Sequence, residues 1–353
     1  MKHIMVTGGA GFIGSNFIHY MLKNSDFKII NFDALTYAGN PENLRDIEQD
    51  ERYTFIKGNI ADTAQVRDVL HKFEIDLIVN FAAETHVDRS ILSPDIFVSA
   101  NVLGTQNLLE CARTYWSLSP GDKLCRAYKP GVRFIQVSTD EVYGSLGAEG
   151  KFREDSPISP NSPYAASKAS ADLFVRAYYE TFGFPAVITR CSNNFGPYQF
   201  PEKLIPLIIY NSLQNQKIPV YGDGQQVRNW LYVEDHCSAL CSVIQSGTCG
   251  EVYNIGGDTE ESNLTVIRTI LRLLDRPESL IHFVADRPGH DRRYAMDYTK
   301  LHAHTGWTPS YPFSAGLERT VQWYLQNEKW LRATAGQEFQ AYCKTMYIEE
   351  ETK

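Results

Sequence analysis

Seven residues near the N-terminus, Gly8-Gly9-Ala10-Gly11-Phe12-Ile13-Gly14, constrain the fold of this chain more than any other feature. They follow an apolar run, His3–Thr7, and open a stretch of helical periodicity, Phe12–Lys23, so the glycines occupy a strand-to-helix turn. The run satisfies Gly-x-Gly-x-x-Gly and also the wider Gly-x-x-Gly-x-x-Gly. Glycines there let the backbone turn tightly and approach a pyrophosphate, whose charge rests on the helix N-terminus. A second apolar run, Lys28–Phe32, ends at Asp33, at the distance expected for an acidic partner of the ribose. A carboxylate there accepts hydrogen bonds from an unmodified ribose and repels a 2′-phosphate. No arginine follows directly in Ala34-Leu35-Thr36-Tyr37, so NAD is expected rather than NADP.

The alternation continues along the chain. Further strand signals are Tyr53–Ile56, Asp76–Phe81, Val132–Ser138 and Ala186–Thr189, and helical periodicity fits Thr63–Phe73, Ile96–Trp116 and Pro163–Phe182. The fold class is therefore α/β, with a Rossmann-type doubly wound parallel sheet whose ligands sit beyond the carboxyl ends of the strands. The pattern becomes less regular after Asn193. Pro201–Ser212, Val233–Gln245, Asn263–Leu274 and Phe313–Asn327 read as helices, with Val252–Ile255 and Ile281–Val284 extended between them. The spacing predicts a dinucleotide domain over 1–193 and a smaller mixed α/β lobe over 194–353, with the chain returning to the sheet at least once. Ser117–Gly131 and Ser145–Asn161 read as surface loops.

Two further segments carry chemistry. The run Val132–Ser138 is a buried strand leading into Thr139-Asp140-Glu141. Ser162-Pro163-Tyr164-Ala165-Ala166-Ser167-Lys168 starts a helix, with Ser162 as cap and Pro163 in the first turn. Tyr164 and Lys168 are four apart and share a helix face. The Lys168 ammonium is expected to favour tyrosinate and lower the tyrosine pKa, making Tyr164 a general base. Hydride transfer on a tyrosine and a lysine needs only a hydroxyl at the strand end. Two carboxylates beside it suggest one group that takes a proton and another that gives one, as the elimination of water requires. An acidic pair is more often a solvated turn, but this one ends a buried strand where the cleft opens.

Other features exclude whole classes. Net charge is −8 and no lysine- or arginine-rich run appears, so no nucleic-acid partner is expected. No apolar stretch approaches the ~18 residues of a membrane span. Met1-Lys2-His3 passes straight into a strand, so no secretory signal is expected. The 7 cysteines are scattered without a Cys-x-x-Cys pair, which suits reduced thiols in a cytoplasm. Cys237 and Cys241, four apart on a helix, read as buried apolar residues. His302-x-His304 lacks a third ligand at metal spacing and reads as a surface pair, so no metal is expected. His86 and His290 read as residues that orient loops or ligand.

Taken together, these residues resemble the extended short-chain dehydrogenase/reductase superfamily and, within it, the nucleotide-sugar 4,6-dehydratases. The resemblance covers nearly the whole chain. It rests on Gly8–Gly14, Phe81-Ala82-Ala83-Glu84-Thr85-His86-Val87-Asp88-Arg89-Ser90, Ser138–Gly144, Ser162–Lys168, Cys191-Ser192-Asn193-Asn194-Phe195-Gly196-Pro197 and Pro201–Pro206. It rests further on Arg228–His236 and Arg287-Pro288-Gly289-His290-Asp291-Arg292-Arg293-Tyr294-Ala295. Gly8–Gly14 and Ser162–Lys168 are superfamily-wide, whereas Thr139-Asp140-Glu141 and the 287–295 run are more specific. The short loop Ser145–Asp155, Thr85 in place of a common serine, and Asn59 in place of a common aspartate depart from the family pattern.

The resemblance implies a lyase acting on a nucleoside-diphosphate hexose, with dTDP-glucose the expected substrate and NAD remaining bound through the cycle. Tyr164 would remove the proton of the sugar 4-hydroxyl as hydride leaves C4, with Thr139 on the same oxygen. Glu141 would then take the C5 proton, Asp140 would protonate the departing 6-hydroxyl, and hydride would return to C6. Cofactor contacts would come from Gly8, Gly11, Phe12, Ile13 and Gly14, from Asp33, Leu35 and Thr36, and from Asn59 and Ile60. Phe81, Ala82, Ala83, Thr85, Asn194, Tyr164 and Lys168 would complete that set. Substrate contacts would come from Thr85, Thr139, Asn193, Lys203 and Leu204, from Pro219, Val220 and Tyr221, and from Arg228, Asn263, Asp286, Arg287 and His290. Arg228 and Arg287 offer planar donor forks suited to a diphosphate. Asn263 reads equally as a ligand or as a helix N-cap.

Rival readings are a 4-epimerase or a decarboxylase on the same scaffold, neither of which needs the acidic pair, and a non-catalytic dinucleotide sensor, which would have lost part of the machinery. Thymine and uracil differ by one methyl, worth about 1–3 kcal/mol in a pocket, so the nucleobase stays open. Helices Ile96–Trp116 and Pro163–Phe182 each combine length with an apolar face and suit a four-helix dimer interface.

Overall fold

The computed structural model describes residues 2–286 and 288–336. The dinucleotide half alternates as expected: β1 (His3–Thr7), α1 (Phe12–Asn24), β2 (Lys28–Asp33), β3 (Tyr53–Lys57), α2 (Thr63–Lys72) and β4 (Leu77–Asn80). Three helices follow, α3 (Val87–Leu92), α4 (Pro94–Phe97) and α5 (Gly104–Trp116), and then β5 (Arg133–Thr139), α6 (Pro163–Phe182) and β6 (Ala186–Cys191). After them come β7 (Asn193–Phe195), α7 (Leu204–Leu213), β8 (Ile218–Tyr221), β9 (Val227–Tyr232), α8 (Val233–Ser246) and β10 (Val252–Ile255). The last described elements are β11 (Thr259–Ser262), α9 (Asn263–Leu273), β12 (Ile281–Val284), α10 (Thr299–Thr305), α11 (Phe313–Gln326) and α12 (Glu328–Thr334).

Seven strands form one parallel sheet in the order β10-β6-β5-β4-β1-β2-β3. The order reverses at β1, so α1 and α8 cover one face while α2, α5 and α6 cover the other. Strands shielded on both faces are mostly apolar rather than alternating, and β4, Leu-Ile-Val-Asn, is buried at all four positions, its Asn80 hydrogen-bonded to Thr7, Thr105 and Gln136. Trp116 and Phe134 lie fully buried in the second layer, where the Trp116 indole donates to the Ile75 carbonyl at 2.8 Å. Residues 252–255 bring the chain back to the sheet as its outer strand, alongside β6. A separate core gathers β9, α7, α9 and α11 around Phe195, Trp230, Ile267 and Tyr324. It carries two small sheets, β11-β9-β7 and β12-β8.

Three expectations are corrected. The single helix expected over Ile96–Trp116 is α4, a π turn at Val98–Leu103, and α5. A π turn admits one extra residue, re-aims the side chains around it, and is common beside functional sites. Here it turns Asn101 inward. Its Oδ1 accepts from the Glu84 amide at 2.8 Å, and its Nδ2 donates to the Glu84 carbonyl at 3.0 Å and to Ser167 Oγ at 2.8 Å.

Second, β7, β8, β9 and β11 carry too little periodicity to be read from sequence. Strand β8 contains Pro219 and β11 is wholly polar, Thr-Glu-Glu-Ser. The helix expected from Pro201 begins only at Leu204. Third, Asn263 is not a helix cap. Ser262 caps α9 by accepting from the Thr265 amide at 3.2 Å, and the buried Asn263 Oδ1 has no hydrogen-bond partner.

Candidate active site

A cavity of about 620 Å³ opens beyond the carboxyl ends of the strands. Its dinucleotide end is built by the β1–α1 turn. Gly8 has φ +68°, and a Cβ on it would lie 2.7 Å from the Ala82 nitrogen. A Cβ on Gly14 would collide with the Gly8 carbonyl, whereas one on Gly11 would meet nothing closer than 3.3 Å. The backbone is therefore bare where the cavity reaches it. Gly11 begins α1 without a capping side chain, leaving the first-turn amides to an anion such as a pyrophosphate. Asp33 lies against this turn. Its two oxygens accept from the Leu35 amide at 2.7 Å and the Ala10 amide at 2.9 Å, leaving one lone-pair direction on each for a ribose hydroxyl. Burial pushes its pKa up and these two amides pull it down. Phe12, Ile13, Thr36, Asn59, Ile60, Phe81, Ala82, Ala83 and Thr85 line the same cavity. Leu35 is not among its lining residues and takes part through its amide, at φ +53°. The donor set and the bare turn fit a dinucleotide without a 2′-phosphate.

The opposite end holds the expected reacting groups. Strand β5 delivers Thr139, whose Oγ1 accepts from the Glu141 amide and donates to Asp140 Oδ1, each at 3.3 Å. This caps a 3-10 turn over Asp140–Tyr143 and brings both carboxylates to the cavity. Asp140 is 2 % exposed and its Oδ2 has no hydrogen-bond partner. Burial, then Glu141 beside it, pushes the Asp140 carboxyl up to about 8, against a smaller downward pull from Arg228. At neutral pH it is mostly protonated.

Helix α6 supplies Tyr164 and Lys168, both buried, with Ser162 capping the helix by accepting from the Ala165 amide at 3.1 Å. Phe97 packs edge-on against the Tyr164 ring at 6.3 Å. The expected lowering of the Tyr164 pKa is not found in the protein alone. Burial raises it well above 10, Glu141 adds to the rise, and the Thr139 hydroxyl opposes it. Lys168 instead donates from Nζ to the Val137 carbonyl at 2.7 Å, and burial lowers its own pKa.

Asn193, Asn194 and Lys203 also line the cavity. The buried Asn193 Oδ1 has no hydrogen-bond partner. Asn194 is held by its own Nδ2, donating to the Ser192 carbonyl at 2.9 Å, and by the His236 ring at 3.0 Å from its Oδ1. Lys203 Nζ donates to the Thr85 carbonyl at 2.8 Å. The remaining expected substrate residues gather on the second core. Tyr221 donates to Asp88 Oδ2 at 3.2 Å and meets the His290 ring edge-on at 6.0 Å. His290 pairs with Asp286 at 2.6 Å, and Gln226 donates to the other Asp286 oxygen at 3.1 Å. Arg228 lies over the Tyr294 ring at 4.5 Å. Pro219 and Val220 precede Tyr221 on β8, and Val220 is buried in the core, leaving only its backbone for a ligand. Leu204 packs against that core from the start of α7. Arg287 lies outside the described residues.

Several cavity residues escaped the sequence reading, among them Cys191, Ser192, Gln199 and Glu202. Glu202 is the most consequential. Tyr37 donates to its Oε1 at 2.9 Å, His86 and Arg89 lie 3.9 Å from its Oε2, and Arg89 stacks over the Tyr37 ring at 4.0 Å. It stands next to Lys203 in a segment already tied to the site, but nothing local marks it as buried. Among the described residues no group of three or more His, Cys, Asp or Glu is placed to hold a metal ion. His302 bonds the Trp307 carbonyl at 3.1 Å and His304 the Tyr253 hydroxyl at 3.0 Å.

Comparison with known proteins agrees with this geometry. Residues 5–320 match the family model described as GDP-mannose 4,6 dehydratase. The dTDP-glucose 4,6-dehydratase of Xanthomonas campestris pv. campestris strain B100 is 50 % identical over 337 residues, covering 93 % of this chain and 94 % of its own. The dTDP-glucose 4,6-dehydratase of Bacillus anthracis, solved in complex with NAD, superposes with a TM-score of 0.85 at 48 % identity, covering 95 % of this chain and 100 % of its own. The Streptomyces venezuelae enzyme of the same name, also solved with NAD bound, gives 0.87 at 44 % identity over 94 % and 99 % of the two chains.

Proposed function

This chain belongs to the family of GDP-mannose and dTDP-glucose 4,6-dehydratases, and on that premise we propose that it converts dTDP-glucose to dTDP-4-keto-6-deoxyglucose with a retained NAD. The observation that carries the reading is Asp140. A carboxyl buried in the cavity wall with an unpartnered oxygen, its pKa pushed up by burial and by Glu141 beside it, is suited to hold and give a proton. A 4-epimerase moves hydride on and off one carbon and has no use for that pair.

NAD would be held by Gly8, Gly11 and Gly14 at the pyrophosphate, by Asp33 at the ribose, and by Tyr164, Lys168 and Asn194 toward its reacting end. When bound in oxidised form, it supplies a hydride acceptor and a positive charge in the same cavity, which draws the Tyr164 pKa down. Tyr164 then takes the proton of the 4-hydroxyl while Thr139 holds that oxygen. The 4-ketone acidifies C5, Glu141 removes the C5 proton, and Asp140 delivers its proton to the departing 6-hydroxyl. Glu141 then returns its proton to C5 as C6 is reduced. Burial costs Asp140 little as the neutral acid and much as the anion, so it is held ready to give a proton, and the proton that Tyr164 took from the 4-hydroxyl makes up the loss before the next turnover. Asn193, Lys203, Arg228, Asp286 and His290 bind the sugar and diphosphate, and Tyr221 borders the base. Residues 1–193 hold mainly NAD and residues 194–353 mainly the nucleotide sugar.

The apolar side chains Ile91, Leu92, Ile96, Val98, Leu103 and Leu173 are each at least 41 % exposed on α3, α4, the π turn and α6. Such a patch supports a homodimer through these helices. Among the described residues no helix is long and apolar enough to cross a membrane and all six cysteines are free, which supports a cytoplasmic location. The deciding experiment incubates the purified protein with dTDP-glucose and no added cofactor, followed by mass spectrometry. Loss of one water without net NADH is expected. A new epimer of unchanged mass would refute the dehydratase reading.

A further inference from the structure

The mechanism leaves the buried Asp172–Arg190 ion pair without a task. Asp172 and Arg190 lie behind Tyr164 and Lys168, at 1 % and 5 % exposure. Asp172 is four residues past Lys168 on α6 and shares its face. Arg190, on β6, donates from Nε to Asp172 Oδ2 at 2.9 Å and from Nη1 to the Tyr143 hydroxyl at 2.9 Å. Tyr143 in turn donates to Asn254 Oδ1 at 2.8 Å, so the guanidinium is anchored to β10 as well. A buried ion pair is weak evidence for stability, because two desolvation costs offset the attraction. A carboxylate one helical turn from a buried ammonium is a different matter: burial pushes the Asp172 carboxyl up, Arg190 and then Lys168 pull it down, and the charges on Asp172 and Lys168 support each other.

Lys168 Nζ makes one hydrogen bond, to the Val137 carbonyl. A neutral amine would make the same bond, so that contact does not hold the charge. The groups facing Lys168 come from three directions. Strand β5 and its turn present Ser138, Thr139, Asp140 and Glu141; β6 presents Cys191, with Arg190 next to it; α6 presents Tyr164 and Asp172. Burial pushes the Cys191 thiol up to about 12, so it is neutral, and Asp140 is mostly protonated. Burial acts to discharge Lys168, and Asp172 is the strongest opposing influence.

We propose that Asp172 is a positioning residue of the reaction: anchored by Arg190, its carboxylate keeps Lys168 a charged donor aimed into the cavity. The arrangement extends the helix face from Tyr164 and Lys168 to Asp172, one turn each. Its consequence for turnover rests on the dehydratase reading, whereas its consequence for the charge on Lys168 does not.

The test reads Lys168 directly. Protein carrying ¹³Cε-labelled lysine is titrated by NMR, and the Lys168 signal is assigned by its loss in Lys168→Met. Asp172→Asn leaves Arg190 facing an amide, so Asp172→Asn/Arg190→Gln, which removes both charges, is made alongside it. In whichever of these folds, Lys168 is expected to titrate about one pH unit or more below its wild-type value. Asp172→Glu, which keeps the charge, is expected to leave the titration in place. The basic limb of kcat with dTDP-glucose should move down with the lysine. An unchanged Lys168 titration in a folded charge-removing variant would overturn the proposal. So would failure of both variants to fold while Asp172→Glu folds, which would make the pair structural. A wild-type protein inert toward dTDP-glucose would count against the dehydratase reading and leave the lysine titration as the deciding measurement.

Discussion

Replacing Asp140 with asparagine is expected to make the protein progressively more stable than the wild type as pH rises, while water loss stops. Burial and the neighbouring Glu141 move the Asp140 carboxyl from 3.8 to about 8 in the folded protein. The unfolded chain titrates at the ordinary value. Between those two values the folded state therefore carries a proton that the unfolded state has released. Stability then falls as pH rises, by about 1.4 kcal/mol per pH unit from this group alone. Its contribution is fully present below the unfolded pKa and lost as pH passes the folded one. From about pH 5 to about pH 7 the loss is on the order of 3 kcal/mol. Asparagine does not titrate, so the variant escapes it. Burying an amide nitrogen without a partner adds a constant cost, which shifts the comparison without changing its slope. Urea unfolding of both proteins across this interval measures the difference. A difference flat to within about 0.5 kcal/mol would mean that Asp140 is already ionised in the folded protein, and would remove the acid from the mechanism.

Three further outcomes are expected. Glu141→Gln should still oxidise C4, building up reduced nicotinamide absorbance on the enzyme, while release of the 6-deoxy product falls about 10²–10⁴-fold; product release at the normal rate in a rapid-quench assay would assign the C5 base elsewhere. His236 is the mirror case to Asp140, because burial lowers its pKa from 6.5 to about 3 and the unfolded chain is the state that gains a proton on acidification. Stability is lost as pH falls between those values, and His236→Gln should flatten that limb by about 1.4 kcal/mol per unit in urea unfolding, a slope unchanged by the substitution being the contrary result. Leu92 and Leu103 are 68 % and 55 % exposed, and Leu92→Glu/Leu103→Glu should convert a dimer into a monomer by light scattering; the same mass for variant and wild type would move the interface away from these helices.

Much of the sheet was legible in the chain. Strands buried on both faces read as short, mostly apolar runs, which is why β1, β2, β4, β5 and β6 lie where the runs predict, within a few residues at their ends; β3, half-exposed at the sheet edge, follows its run as well. The second half was harder for an identifiable reason. Strand β8 carries a proline, β11 is four polar residues at a sheet edge, and β9 runs straight into α8 without a turn between Tyr232 and Val233. The π turn at Val98–Leu103 differs from an ordinary helix by one residue and leaves no periodic trace, yet it decides where Asn101 points. The reacting side chains were visible because each depends on local spacing: a strand end for Thr139, Asp140 and Glu141, and one helical turn between Tyr164 and Lys168.

Local spacing determined which groups meet, because a turn, a strand end and a helix face are set by residues close together in the chain. The glycines at the β1–α1 turn, the Asp33 carboxylate and the tyrosine–lysine pair all belong to that class. Which of these groups carries a proton was decided by the tertiary structure alone. The carboxyl of Asp140 and the phenol of Tyr164 owe their states chiefly to the loss of water around them, whereas Lys168 and the Asp172–Arg190 pair are set between that loss and the charges they face. Desolvation is the work of every element packed against a site, and those elements come from positions as far apart as Phe97 and Arg228. A sequence names the acid and the base, but only the folded surroundings decide which of them holds the proton.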